Sequence, residues 1–385
     1  MISREFSADA RGSMSLFDRV LQLNTILIIL IILPALVGFA MLYSAAGGEI
    51  EPWARPQMIR FAIGTLIMLT AALVDIRFWI KFAYYIYGLA LILLIGVELA
   101  GDSAMGAKRW VNVGLLQLQP AEIMKIALVL ALARYFHGLT GEEIQRFRWL
   151  VVPIFMVAAP AGLVLVEPDL GTAILLIIGT GALFFAAGVL WWKFALVFIA
   201  VLGSIPFAWD RLHLYQRERI LTLFNPERDP LGAGYQIMQS KIALGSGGLW
   251  GKGFLLGTQS RLNFLPEKHS DFIFTTLGEE FGLVGGLILL SLYATIITYG
   301  FTVAFRARSQ FGRLVAVGVT STFFLYVFIN IAMVVGLIPV VGVPLPLISW
   351  GGSAMVSILI GFGLLLSVHI HSDTPIPRRP GLDLH

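Results

Sequence analysis

Apolar runs recur along this chain from one end to the other. They run from 16 to 31 residues, most of them about long enough to cross a hydrocarbon core roughly 30 Å thick as a helix. About ten such runs are expected to span a membrane. They lie near Asn24–Ala46, Gln57–Leu73, Lys81–Leu99, Glu122–His137, Trp149–Val166, Leu170–Gly188, Trp192–Phe207, Thr275–Phe305, Leu314–Gly336 and Ser349–Val368. The eighth is long enough to be strongly tilted or broken near Gly285-Gly286. With 58% hydrophobic and 13% charged residues, a soluble domain is excluded, and the fold class is an all-α polytopic membrane protein.

The first run follows Arg4, Arg11 and Arg19 and precedes Ser44-Ala45-Ala46, as a secretion signal would. Its apolar stretch exceeds that of a signal, so it reads as an uncleaved anchor. The chain has no Cys. Disulfides, thiolate metal sites and a cysteine nucleophile are therefore ruled out. With the N-terminus inside, the cytoplasmic segments hold about 14 Lys and Arg, and the short outer loops about four. That asymmetry predicts N-in and C-in topology with an even number of spans. The expected organisation is a cytoplasmic segment over 1–23, one transmembrane domain over 24–371 and a cytoplasmic tail over 372–385. The tail is Pro-rich and expected to be disordered.

A large extracytoplasmic loop over 208–274, between spans 7 and 8, carries Arg211, Arg217, Arg219, Arg228, Lys241, Lys252, Arg261 and Lys268. Such a basic loop suits an anionic ligand, for instance a phosphate-bearing lipid headgroup, or nonspecific contact with lipid phosphates. Within it, Asn225–Pro230 reads as a turn and Tyr235–Leu244 as a short amphipathic helix on the interface. The glycines of Gly245–Gly253 give backbone that can approach an anion closely. No internal repeat and no GxxxxGK[ST] phosphate loop is present, which argues against a transporter or an ATPase.

The polar run ending Glu267-Lys268-His269-Ser270-Asp271, at the lip of the eighth span, is the most suspicious cluster of charge. Asp271 could act as a general base or, with Ser270, cap the following helix. Burial and Glu267 would raise its pKa, while a helix N-terminus and Lys268 would lower it. Glu122 and Lys125, at i and i+3 after Pro120, share a face and must look into the bundle or a wet cavity. That pair serves function or helix register equally well. Lys108-Arg109-Trp110 suits a pyrophosphate and a sugar face, or simply anchors the interface. Asp169 reads chiefly as a helix cap. Two prolines and a Gly pair in Val343–Ser353, with Ser349, Gly351, Gly352 and Ser353, make a non-helical wall that must lie against protein or a water-lined cavity.

Taken together, Gly106–Trp110, Gln119–Lys125, Pro168–Thr172, Asn225–Gln236, Gly245–Gly253, Gly257–Gln259, Leu265–Gly282 and Gly342–Ser353 resemble the SEDS family of bacterial peptidoglycan glycosyltransferases. The resemblance covers the chain from the first span to the tenth. Phe264–His269 and Gly342–Pro346 are similar to the rod-elongation branch more than to the division branch. Trp350 stands where Tyr is usual in the family, and Glu167 where Gln is usual. The resemblance implies polymerisation of lipid II into glycan strands on the outer face of the cytoplasmic (inner) membrane, for elongation and rod shape. It implies a class B penicillin-binding protein (a transpeptidase) and MreC and MreD as partners, and no nucleic acid.

By the same resemblance, Asp271 is the catalytic position and Glu122 with Lys125 a functionally sensitive pair. Lys108, Arg109, Arg217, Arg219 and Lys252 become candidates to stabilise a departing pyrophosphate. Trp110, Lys268 and His269 join them as substrate-binding candidates. No ligand spacing demands a metal, although a divalent cation such as Mg or Mn is compatible with this chemistry. A lipid II flippase, a division-type polymerase and a passive scaffold for the transpeptidase are the competing readings.

Overall fold

The computed structural model describes residues 15–100, 102–104, 107–113, 116–209, 214–225, 229, 232–262 and 264–378. Among them, eight helices are long and apolar enough to cross a membrane. They are α2 (Thr25–Ala45), α3 (Ala54–Leu73), α4 (Ile76–Ala100), α7 (Phe147–Val166), α8 (Leu170–Ala187), α13 (Ile273–Arg306), α14 (Gln310–Val334) and α15 (Gly352–Ile370). Two further helices coincide with the remaining expected spans. These are α5 (Pro120–His137), which carries charges, and α9 (Trp191–Trp209). Short helices α1 (Leu16–Leu21), α6 (Gly141–Gln145), α10 (Leu214–Phe224), α11 (Ala233–Gly247) and α12 (Thr258–Arg261) complete the helical set. Between α4 and α5 the chain forms a small antiparallel ladder, β1 (Asp102–Ala104), β2 (Ala107–Val113) and β3 (Leu116–Leu118), in the order β1-β2-β3.

Local chemistry sets several boundaries. The Asn24 side chain caps α2 by accepting from the Leu27 N–H at 3.0 Å. Pro120 opens α5 at its first turn, where a missing N–H costs nothing. Gly188 closes α8 in the left-handed conformation, at φ 102°. The last expected span starts later than its apolar run, because the helix begins only at Gly352 and Ser349–Gly351 belong to the preceding loop.

α5, α14 and α15 form the buried centre. α15 packs along α3, α4 along α5, and α13 along both α14 and α11. The expected interfacial helix is therefore longer than its pattern and partly enclosed, with Ile237, Ser240 and Ala243 buried. Ser240 donates to the Val334 carbonyl at 2.8 Å. The tail also differs from expectation as far as Arg378. Ser372 accepts from the Arg308 N–H at 2.9 Å, and Pro377 O lies 3.4 Å from His137 Nε2.

The break in α13 falls at Gly282 (φ 65°, ψ −162°), not at Gly285-Gly286. Its position is set from outside the helix. The N–H groups of Lys252 and Gly253 donate to the carbonyls of Glu279 and Glu280, each at 3.0 Å. Leu283 and Val284 donate in return to Gly248 and Leu249 at 2.9 and 3.1 Å. Backbone groups freed by the break are thus satisfied by protein, as a membrane-spanning segment requires. Gly251 makes the approach possible: it sits at φ 81°, and a Cβ there would overlap the Glu280 carbonyl. Gly251→Ala should therefore lower the melting temperature in detergent, since the left-handed conformation alone costs roughly 1–2 kcal/mol for a residue bearing Cβ. An unchanged melting curve would show that this loop yields freely.

Candidate active site

Asp271 ends a turn in which the N–H groups of Ser270 and Phe272 both donate to the Glu267 carbonyl, at 3.2 and 3.1 Å. Ser270 Oγ also donates to Glu267 Oε2 at 2.7 Å. The three carbonyls leading through Asp271 are each held from another element. Trp350 N–H donates to His269 O at 2.8 Å, Ser349 Oγ to Ser270 O at 2.6 Å, and Asn330 Nδ2 to Asp271 O at 2.8 Å. Asn330, fully buried on α14, also donates to Val343 O at 2.7 Å. The turn and the 343–351 loop are therefore one assembly.

That loop is the non-helical wall expected from its prolines. Tyr293 Oη holds the Pro346 carbonyl at 2.6 Å, and Ser349 Oγ accepts from Leu345 N–H at 2.7 Å. Two glycines on the surrounding helices let it pack backbone to backbone. A Cβ at Gly38 would stand 2.6 Å from Ile348 Cα, and one at Gly171 would stand 2.7 Å from Val341 O. Asn330→Ala should cost roughly 1–3 kcal/mol, because two buried carbonyls lose their donor. A thermal melt with no shift would refute this account of the wall.

Between these elements lies a cavity of about 370 Å³, edged by Asp271, Glu122, Asp169, Trp110, Trp350 and Ser353. That is the lower end of ligand-pocket size. The carboxyl of Asp271 is pushed up to about 7, first by burial and then by the negative charges of Glu267 and Asp169. Arg219 on α10 lowers it by less. The opposing influences named from the sequence thus resolve in favour of the raising ones. Asp271 does not cap α13 either. The cap position is Phe272, with no side-chain hydrogen bond.

Asp169 does cap α8, accepting from Thr172 N–H and Thr172 Oγ1 at 3.0 Å each, and from Gln119 Nε2 at 3.2 Å. It nevertheless faces the cavity, a role its sequence context left in the background. Glu122 and Lys125 pair at 2.7 Å, both buried. Tyr326 on α14 completes the group, donating to Glu122 Oε2 at 2.6 Å and bonding the Lys125 ammonium. Ser353, a predicted wall residue, accepts from Gln119 N–H at 3.2 Å. Tyr326 and Asn330 escaped the sequence reading, although two polar side chains at i and i+4 in an apolar span were a usable signal.

Other expected residues lie apart from the cavity. The Lys252 ammonium is bound by Glu279 and Thr258, each at 2.7 Å, under the break in α13. Lys252 is thus held by an ion pair beside the glycines of its loop. His269 stacks on Trp53 at 4.5 Å, and Lys268 lies 5.8 Å from the same ring. Burial lowers the pKa of both. Arg217 lies on α10 beside Arg219. Lys108 and Arg109 lie on β2, but their side chains fall outside the described residues, as does most of the 225–230 turn. Among the described residues, no group of three or more acidic or imidazole side chains is placed to hold a metal ion.

Comparison with known proteins agrees with this architecture. The model of the FtsW/RodA/SpoVE family, described as "cell cycle protein", matches residues 21–374. The chain is 46% identical to the peptidoglycan glycosyltransferase MrdB of Escherichia coli K12, over 89% of this chain and 92% of that one. It is 35% identical to the stage V sporulation protein E of Bacillus subtilis, over 91% and 97%. Among solved structures, a chain from a study of the coordination of polymerization and crosslinking by a peptidoglycan synthase complex superposes with a TM-score of 0.80. It is 31% identical, over 92% of this chain and 99% of that one. The rod-shape-determining protein RodA of Thermus thermophilus gives 0.69, at 28% identity over 91% and 97%. With its family model matched over nearly its whole length, the chain belongs to the SEDS family, the FtsW/RodA/SpoVE cell-cycle proteins.

Proposed function

We propose that this protein is a peptidoglycan glycosyltransferase that polymerises lipid II into glycan strands during elongation. The observation that carries the reading is Asp271. It is a carboxyl tuned to about 7, on a turn fixed at three successive carbonyls, at the edge of a cavity. A general base works best when its pKa lies near the working pH. In the proposed step, Asp271 takes the proton from the acceptor sugar's 4-hydroxyl as that oxygen attacks the donor's anomeric carbon. The carbon inverts, and undecaprenyl pyrophosphate leaves with the bonding electron pair. One carboxylate base suffices for such a displacement, and no covalent glycosyl-enzyme is needed. Arg219 is the described cation closest in influence to Asp271 and is the first candidate to steady the departing phosphate.

The positive-inside asymmetry supports N-in and C-in topology, with the cavity on the extracytoplasmic face and 208–274 as the large outer loop. The organisation into 1–23, 24–371 and 372–385 follows from it. The similarity to a chain of a peptidoglycan synthase complex supports partnership with a class B penicillin-binding protein. The resemblance to the elongation branch supports MreC and MreD as further partners.

The test is polymerisation of lipid II by purified protein with its transpeptidase partner, with and without EDTA. Glycan strands from wild type, and none from Asp271→Ala that still binds lipid II, are expected. Full polymerisation by the variant rejects Asp271 as the base. Movement of lipid II across liposomes without polymer, read by headgroup protection, would replace the proposal with a flippase.

A further inference from the structure

Trp350 edges the same cavity as Asp271 and is clamped there from two sides. The Arg60 guanidinium lies over its ring, 4.1 Å from the centroid. The Trp350 main-chain N–H donates to His269 O, two residues before Asp271, at 2.8 Å. Gln57, one turn earlier than Arg60 on α3, donates to Ser349 O at 2.8 Å and pins the residue preceding the indole. Gly352 follows so closely that a Cβ there would stand 3.0 Å from Arg60 Nε. Arg60 Nη1 is buried with no hydrogen-bond partner among the described residues. The guanidinium is therefore placed by its stack on the indole, an arrangement that a planar cation makes well.

The rest of the cavity says what such a fixed plane is for. Asp271, Asp169 and Glu122 all border it. Three carboxyl groups in one small space offer hydrogen-bond acceptors rather than apolar surface. They suit a ligand with a rim of hydroxyl donors. A pyranose ring has such a rim and also an apolar C–H face that lies flat on an indole.

We propose that Trp350 is a positioning residue, a platform for one sugar ring of the substrate, its indole held by Arg60 in line with the turn that carries Asp271. The proposal rests on the reading of the chain as a peptidoglycan glycosyltransferase. It places a sugar ring in the cavity. Holding the indole before substrate arrives removes an ordering cost from binding. The platform's contribution thus falls mainly on KM.

The test is steady-state polymerisation of lipid II by the complex with its transpeptidase. Trp350→Ala is expected to raise KM roughly three- to tenfold with kcat within about twofold, the size of an aromatic stacking contact. Trp350→Phe should recover most of that loss. Arg60→Gln, which frees the indole but leaves it in place, should fall between wild type and Trp350→Ala. Unchanged KM in Trp350→Ala overturns the platform. So does a collapse of kcat that Trp350→Phe fails to rescue, because that pattern marks a residue that merely supports the loop.

Binding of lipid II to Asp271→Asn, with and without Trp350→Ala, gives a second readout that needs no turnover. Weaker binding at an unchanged melting temperature supports the platform, and equal binding overturns it. A wild type that makes no glycan strands sinks the underlying reading itself, a result distinct from every Trp350 outcome.

Discussion

Asp271→Asn should abolish polymerisation and at the same time make the protein more stable above neutral pH. The two effects share one cause. Folding raises the Asp271 carboxyl from an ordinary value of 3.8 to about 7, chiefly by burying it beside Glu267 and Asp169. The folded state therefore holds this proton more tightly than the unfolded state does. Stability falls as pH rises through the window from about 4 to about 7, and above 7 the full penalty is present. At about 1.4 kcal/mol per pKa unit the ceiling on that penalty is about 4 kcal/mol. Asn carries no charge, so the variant should melt several degrees above wild type at pH 8. That gap should close as the pH approaches 4. Activity runs the opposite way. A base must be ionised, so the wild-type rate should climb about tenfold per pH unit below 7 and level off above it, while Asp271→Asn loses a factor of about 10²–10⁴. A variant that is inactive but no more stable at pH 8 would mean that the site does not strain this carboxyl. A flat wild-type rate between pH 5 and 7 would remove Asp271 from the proton transfer.

The sequence made parts of this site legible because some of its signals are local. An apolar run reports its own ability to span a membrane, a proline reports the first turn of α5, and a charged cluster at the lip of a span stands out against its surroundings. Glu122 and Lys125 could be paired from their spacing alone, and they do pair. What stayed hidden depends on segments distant in the chain. The break in α13 sits at Gly282 because the backbone at 248–253 bonds to it there, and nothing near Gly282 distinguishes it from Gly285 or Gly286. The partner of Lys252, Glu279, lies 27 residues away and could not be named from the local pattern. The sum of effects on Asp271 could not be formed without knowing that Asp169 faces the same cavity. The ladder over Asp102–Leu118 lies in a stretch read from the sequence only for its cations and Trp110.

The buried group formed by Glu122, Lys125 and Tyr326 yields the second large effect. Removing one charge strands the other in a buried site, which costs about 3–5 kcal/mol. Lys125→Met should leave Glu122 with the Tyr326 hydroxyl alone on its side chain, and Glu122→Gln should leave an ammonium facing an amide and a phenol. Both single variants should melt far below wild type. The double variant Glu122→Gln/Lys125→Met removes both charges and should recover more than half of the loss, a coupling well above 1 kcal/mol in a double-mutant cycle. That recovery separates the two readings that spacing alone left level. Glu122 borders the cavity and its main-chain carbonyl is tied to Ser357 on α15 at 2.8 Å. Its charge therefore belongs to the field in which the sugar hydroxyls and Asp271 act. The refolded double variant should still polymerise lipid II at least tenfold more slowly than wild type. If it runs at the wild-type rate, the pair only holds α5 against α14, and the charged lining of the cavity reduces to Asp271 and Asp169.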